Sequence, residues 1–154
     1  LRVGGAAEAP AGVGGRKLLQ VNEVAVLPAG HPLCRQAVLR PQDFANERFI
    51  SLAEGDPYRV AIDAMFAGSG VARATLLETA SAAAVCAMVQ QGLGLAIVNP
   101  LTAAAMAGPA LVVRPLGVAI PFHVSLLLPQ VATPHPLRDT LVQAIAHSIA
   151  ARPG

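Results

Sequence analysis

Residues 75–100, TLLETASAAAVCAMVQQGLGLAIVNP, leave few folds open, because they read as strand, helix and strand in immediate succession. Residues 75–78 are a short apolar run ended by a carboxylate, and Thr79 and Ser81 follow with oxygens that accept from the first N–H groups of a helix. Val85, Met88 and Val89 recur at helical spacing on one face. Gly92 and Gly94 supply the backbone that ends the helix, and residues 95–98 are the second strand. Two strands joined by one helix through tight turns form a parallel crossover, with the helix on one face of the sheet. Ligands of such sheets sit beyond the carboxyl ends of the strands. Glu78, Thr79, Ser81 and Asn99 occupy those ends and are the first candidate site residues.

The rest of the chain repeats the alternation. Residues 21–27 read as a strand closed by Pro28, residues 41–44 as a short helix opening on Pro41, and residues 48–52 as a strand. Asp56 caps a helix whose first turn holds Pro57 and whose buried stripe is Ile62, Met65 and Phe66, with Gly68 or Gly70 ending it. A short Ala-rich helix at 101–107, strands at 111–116 and 121–128, and an amphipathic helix at about 136–150 with Leu137, Leu141, Ile145 and Ile149 on one face complete the pattern. Residues 1–15 are Gly, Ala and Pro with little to bury, so they read as a flexible lead-in. Alternating strands and helices predict an α/β fold with an open, largely parallel sheet.

Several chemistries find no support. Gly92-Leu93-Gly94 follows a helix and precedes a strand, the reverse of a dinucleotide fingerprint, and no phosphate-loop lysine or G-x-S-x-G elbow occurs. His31, His123, His135 and His147 lack metal-ligand spacing to Cys34 or Cys86, so neither a metal nor a cofactor is expected. Cys86 falls among Ala, Val and Met and reads as a core thiol. Of eleven basic residues Lys17 is the one lysine, the arginines are scattered singly, and net charge is +2, so no stripe tracks a phosphate backbone. No apolar run reaches the length of a membrane span and no signal-peptide core opens the chain. With two isolated thiols, this predicts a cytoplasmic chain without a membrane partner. A small α/β enzyme stays open, since catalytic pairs distant in sequence can meet in space.

What the pattern does offer is two helix N-termini, at Asp56-Pro57 and at Thr79-Ser81, that open on the same edge of the sheet. Each is a seat for a carboxylate, with Glu54, Asp56 and Glu78 beside them as acceptors for an ammonium group. Together they suit a molecule carrying both signs, such as an amino acid. The bland alternative, that Asp56, Thr79 and Ser81 only cap their helices and Arg59 is a solvated side chain, stands open on the residues alone.

VAVLPAGHPLCRQAVLRPQDFANERFISL (residues 24–52) resembles the start of the second regulatory lobe of LysR-type transcriptional regulators, and ETASAAAVCAMVQQGLGLAIVNPLTA (residues 78–103) is closer still. FISLAEGDPYR and LVVRPLGVAIPFHVSLLLP are similar to the subgroup that controls lysine biosynthesis and opine use, and the resemblance covers about residues 18–150. It implies a type 2 periplasmic-binding-protein-like lobe at 21–117, with an incomplete remnant of the other lobe: the lead-in at 1–20 and the strand and helix at 118–154. It further implies a small amino-acid-like effector, diaminopimelate or lysine, in the interlobe cleft, with Ser51, Glu54, Asp56, Tyr58, Arg59, Glu78, Thr79, Ser81 and Asn99 as candidate ligand-binding residues. DNA contact would fall to an N-terminal helix-turn-helix outside this sequence, and the assembly would be a homodimer or higher homo-oligomer. A binding protein of the same fold without a regulatory role is the alternative. If the first lobe is incomplete, the strand at 121–128 is expected to expose an apolar edge.

Overall fold

Strand β3 (Val24–Pro28) is apolar at every position, and sheet pairing on both sides accounts for it: Ala25, Val26 and Leu27 are fully buried. This computed structural model describes residues 2–4, 13–129 and 136–150. The chain divides into two units, Asn22–Pro121 and a smaller one built from Leu1–Val21 with Phe122–Gly154.

In the larger unit β3 lies between β6 (Ala96–Val98) and β7 (Leu111–Pro115), antiparallel to both. Strand β4 (Arg48–Leu52) pairs in parallel with β5 (Ala74–Thr79). A parallel bridge from Phe49 to Leu95, with Ile50 N–H donating to Leu95 O at 2.8 Å and Leu95 N–H to Arg48 O at 2.8 Å, joins β4 to the chain entering β6. Strands β4, β5, β6 and β7 therefore run one way and β3 the other, a largely parallel sheet with one reversed strand. The crossover expected from residues 75–100 is present, and it steps over β4: β5 leads through α2 (Ala82–Gln90) to β6.

Two apolar clusters cover the two faces of this sheet. Ala25, Leu27, Phe49 and Ile97 pack with Ile62 and Phe66 of helix α1 (Pro57–Gly68). The alternate residues Val26, Ile50, Ala96 and Val98 pack with Val85, Cys86 and Val89 of α2 and Ala103 of α3 (Pro100–Met106). Phe44, Phe49 and Phe66 meet edge to face with centroids 5.6–6.0 Å apart, and the Arg73 guanidinium lies 4.9 Å from the Phe49 ring centre and 5.1 Å from that of Phe66. At Gly92 the helix α2 ends with φ of +74°, as its sequence position predicts. Gly94 serves a different need, because a Cβ there would stand 2.6 Å from Arg48 O.

The smaller unit corrects three expectations. Strand β8 (Pro121–Pro129) lies between β1 (Arg2–Gly4) and β2 (Val13–Asn22), with β1 covering it at Ser125, Leu126 and Leu127, so it is not an edge strand of its sheet. For the same reason residues 1–15 are not all lead-in, since residues 2–4 and 13–15 are strand; a partner over a hundred residues away supplies the order that their own composition does not. Helix α4 (Arg138–Ala150) buries Val142, while Leu137 and Leu141 of the expected stripe are 66% and 49% exposed. Ile145 and Ile149 of that stripe are half-buried beside Val142, so only its leucine end is left exposed. His135 lies outside the described residues.

Candidate functional site

Three helices begin at one edge of the larger sheet, each directly after the carboxyl end of a parallel strand: α1 after β4, α2 after β5 and α3 after β6. Their first N–H groups are not equally available. At α1 the Asp56 carboxylate accepts from Tyr58 N–H at 2.8 Å and Arg59 N–H at 3.4 Å, Val60 N–H reaches Asp56 O at 3.1 Å, and Pro57 has no N–H. That seat is filled by its own cap. At α3 Asn99 Oδ1 accepts from Thr102 N–H at 2.8 Å. At α2 Ser81 Oγ takes only Ala84 N–H, at a long 3.4 Å, and Val85 N–H goes to Ser81 O at 3.0 Å. The N–H groups of Ala82 and Ala83 remain at the open end of the helix.

The candidate charges are also sorted by the fold. Arg59 donates to Asp63 at 2.8 and 3.0 Å, to Glu78 Oε1 at 2.8 Å and to Leu52 O at 2.8 Å. With its side chain only 12% exposed, it is neither solvated nor a free clamp but ties α1 to β4 and β5. Arg73 extends the network through its own ion pair with Asp63, and burial lowers its pKa to about 10. Glu78 is thereby engaged, whereas Glu54 sits on an exposed turn with Gly55 at φ of +84°. Thr79 pairs with Leu52 in register and its carbonyl accepts Ala53 N–H at 3.0 Å; Tyr58 is half-buried against the cluster that includes Leu52 and Val98.

Ser51 is the buried member of the set, 2% exposed, and its Oγ has no hydrogen-bond partner. A second buried polar residue lies at the same edge and was missed in the sequence: Glu23, 1% exposed, with Oε2 unpartnered. Burial, with the Asp56 charge adding to it, pushes the Glu23 carboxyl from 4.5 up to about 8. The signal was a lone carboxylate inside the apolar run VNEVAVL. Burial likewise pushes the Cys86 thiol up, as suits a core cysteine. Among the described residues no group of three His, Cys, Asp or Glu could hold a metal ion, and no helix is long and apolar enough to cross a membrane.

A recess of about 240 Å3 opens at the opposite end of the strands, among Pro28, His31, Glu47, Arg48 and Leu95. There His31 Nε2 stands 3.5 Å from Glu47 and its Nδ1 accepts from Leu33 N–H at 3.3 Å, so its imidazole is already engaged. The unpartnered buried groups and the open helix end favour the carboxyl edge instead.

A mixed α/β lobe with three helix starts at one sheet edge defines a small-molecule-binding module of the type 2 periplasmic-binding-protein-like class. Residues 1–150 match the LysR substrate binding domain, and the chain belongs to that family, the effector-binding module of LysR-type regulators. It is 47% identical over 137 residues to the transcriptional activator protein LysR of Escherichia coli K12, covering 89% of this chain and 43% of that protein. It is 28% identical over 130 residues to the regulatory protein NocR of Agrobacterium tumefaciens T37, covering 84% and 43%. The chain thus spans less than half the length of these relatives, both of which are regulatory proteins. In fold it is similar to the regulatory domain of Synechocystis PCC6803 CcmR, solved in complex with 2-PG, with a TM-score of 0.79 at 17% identity over 99% of this chain and 75% of that one.

Proposed function

We propose that this chain is the effector-sensing part of a cytoplasmic, DNA-binding transcriptional regulator, and that it has no catalytic activity of its own. On this reading the unit Asn22–Pro121 is the second regulatory lobe and the smaller unit is the C-terminal part of the first. The effector is an amino-acid-like metabolite, diaminopimelate or lysine, and the regulator contacts DNA through a helix-turn-helix elsewhere in the protein and acts as a homo-oligomer. The observation that carries the site is the open N-terminus of α2, whose cap reaches Ala84 N–H at 3.4 Å and leaves the helix end for a carboxylate. The resemblance of residues 49–59 and 111–129 to the subgroup that controls lysine biosynthesis, together with 47% identity to the transcriptional activator protein LysR, supports the choice of effector. Ser51, Asp56, Tyr58, Arg59 and Asn99 shape and brace this edge, with Glu54 and Glu78 on its rim.

Calorimetry on the intact regulator with diaminopimelate, lysine and opines tests the proposal. Removing both hydroxyls, Thr79→Ala with Ser81→Ala, is expected to weaken binding about tenfold, the size of one or two charge-assisted hydrogen bonds. Unchanged affinity would move the site elsewhere.

A further inference from the structure

The carboxylate seat at α2 does not account for the other end of such a ligand, and the acidic groups at hand are not equivalent. Glu78 is held by Arg59 at 2.8 Å, Asp56 caps its helix by accepting Tyr58 and Arg59 N–H groups on Oδ1, and Glu54 lies exposed on a turn. Glu23 is different: it is 1% exposed, and its Oε2 has no partner.

Its position follows from the sheet register. Val24 pairs with Val98 and Ala25 with Ile97, so Glu23, one residue before β3, stands in the row of Asn99 at the carboxyl edge. Its backbone is fixed there by Glu23 N–H donating to Ile120 O at 2.8 Å. By alternation Glu23 shares a face with Ala25 and Leu27, and Ser51 shares that same face through Phe49, the face that α1 covers. Asp56 at the start of α1 is the charge that acts on Glu23. Two buried oxygens without partners, on one face at one edge, with a like charge beside them, make a place that disfavours an anion and lacks a cation.

We propose that Glu23 is the specificity-determining receptor for a primary ammonium group of the effector, with the Ser51 hydroxyl on the same face. This rests on the reading of the carboxyl edge as the effector site. An ammonium group brings three donors and a positive charge, so it satisfies Glu23 Oε2 and relieves the repulsion from Asp56 together. Glu23 lies on the far side of β6 from β4, two strand spacings or about 10 Å from the Ser51 strand, so the ligand this edge fits is two-ended and not a compact dicarboxylate. Arg59 cannot take the role of internal counter-ion, because its guanidinium is committed to Asp63, Glu78 and Leu52 O.

The test uses the intact regulator and a matched pair of probes, diaminopimelate and pimelate, which share a carbon chain and differ in their amino groups, with lysine as a third. Binding of diaminopimelate or lysine at least tenfold tighter than pimelate is expected, with Glu23→Gln lowering amine-probe affinity at least tenfold and leaving pimelate unchanged. The Glu23 carboxyl also holds its proton at neutral pH, its charged neighbours at this edge being Asp56, exposed Glu54 and the Glu78–Arg59 pair. An arriving ammonium should therefore displace about one proton near pH 7, seen as a dependence of binding heat on buffer ionisation enthalpy that Glu23→Gln abolishes. Equal loss of both probe types in Glu23→Gln, or tight amine binding without proton release, would overturn the assignment while the effector site stands. Binding of pimelate alone would do the same, whereas no binding of any probe would overturn the site and the assignment together.

Discussion

The acid–base behaviour of one side chain links the sequence to the stability of the protein. Between 4.5 and about 8 the unfolded chain has released the Glu23 proton and the folded chain still holds it. Stability contributed by the neutral carboxyl is thus complete below the lower value and lost as pH rises through the upper one, by a few kcal/mol. Urea midpoints should be higher at about pH 5 than at about pH 8.5, with Glu23→Gln flattening the profile; a profile that is flat in the parent chain would contradict the burial of this charge. Gly94 offers a purely steric counterpart. Its Cβ position lies 2.6 Å from a backbone oxygen that cannot swing away, so Gly94→Ala is expected to cost about 2 kcal/mol in denaturation experiments. A cost within experimental error would mean that the β4 and β6 segments separate readily at Arg48.

At the level of elements, the helix caps divide into those that finish their helix and the one that does not. Asp56 closes α1 with two bonds, at 2.8 and 3.4 Å, whereas Ser81 offers α2 a single long one. Asp56→Ala should therefore destabilise by about 1 kcal/mol and Ser81→Ala by no more than about 0.5 kcal/mol. Thermal denaturation of the two variants measures this, and the reverse ranking would show that α2 is capped as firmly as α1. Strand β5 illustrates a different division of labour. Leu76 and Leu77 are 50% and 37% exposed, so the strand is held less by burial than by its ladder to β4 and by the ion pairs of Arg59 and Arg73. Leu76 falls at the irregularity between the Phe49–Thr75 and Ile50–Leu77 pairs.

Over the whole molecule, the basic residues never gather into a surface stripe by sequence, and the described helices include none that follows a helix-turn-helix arrangement. Residues 1–154 on their own are accordingly expected to show no specific retention of duplex DNA in a mobility-shift assay at moderate salt, and a specific shift would place the DNA-binding element within this chain. The sequence alone determined most local elements of the larger unit, the crossover of residues 75–100 and the capping roles of Asp56 and Ser81, because helical spacing, Gly and Pro punctuation and cap chemistry act within a few residues; it did not show β1 or β2. Only the tertiary structure decided the reversed direction of β3, the enclosure of β8 by β1 and β2, and the part of its apolar stripe that α4 buries, since each depends on partners far along the chain. It alone also engaged Glu78 and Arg59 with each other and left Glu23 buried and unpartnered, because whether a carboxylate is solvated, paired or orphaned is set by what packs around it in space.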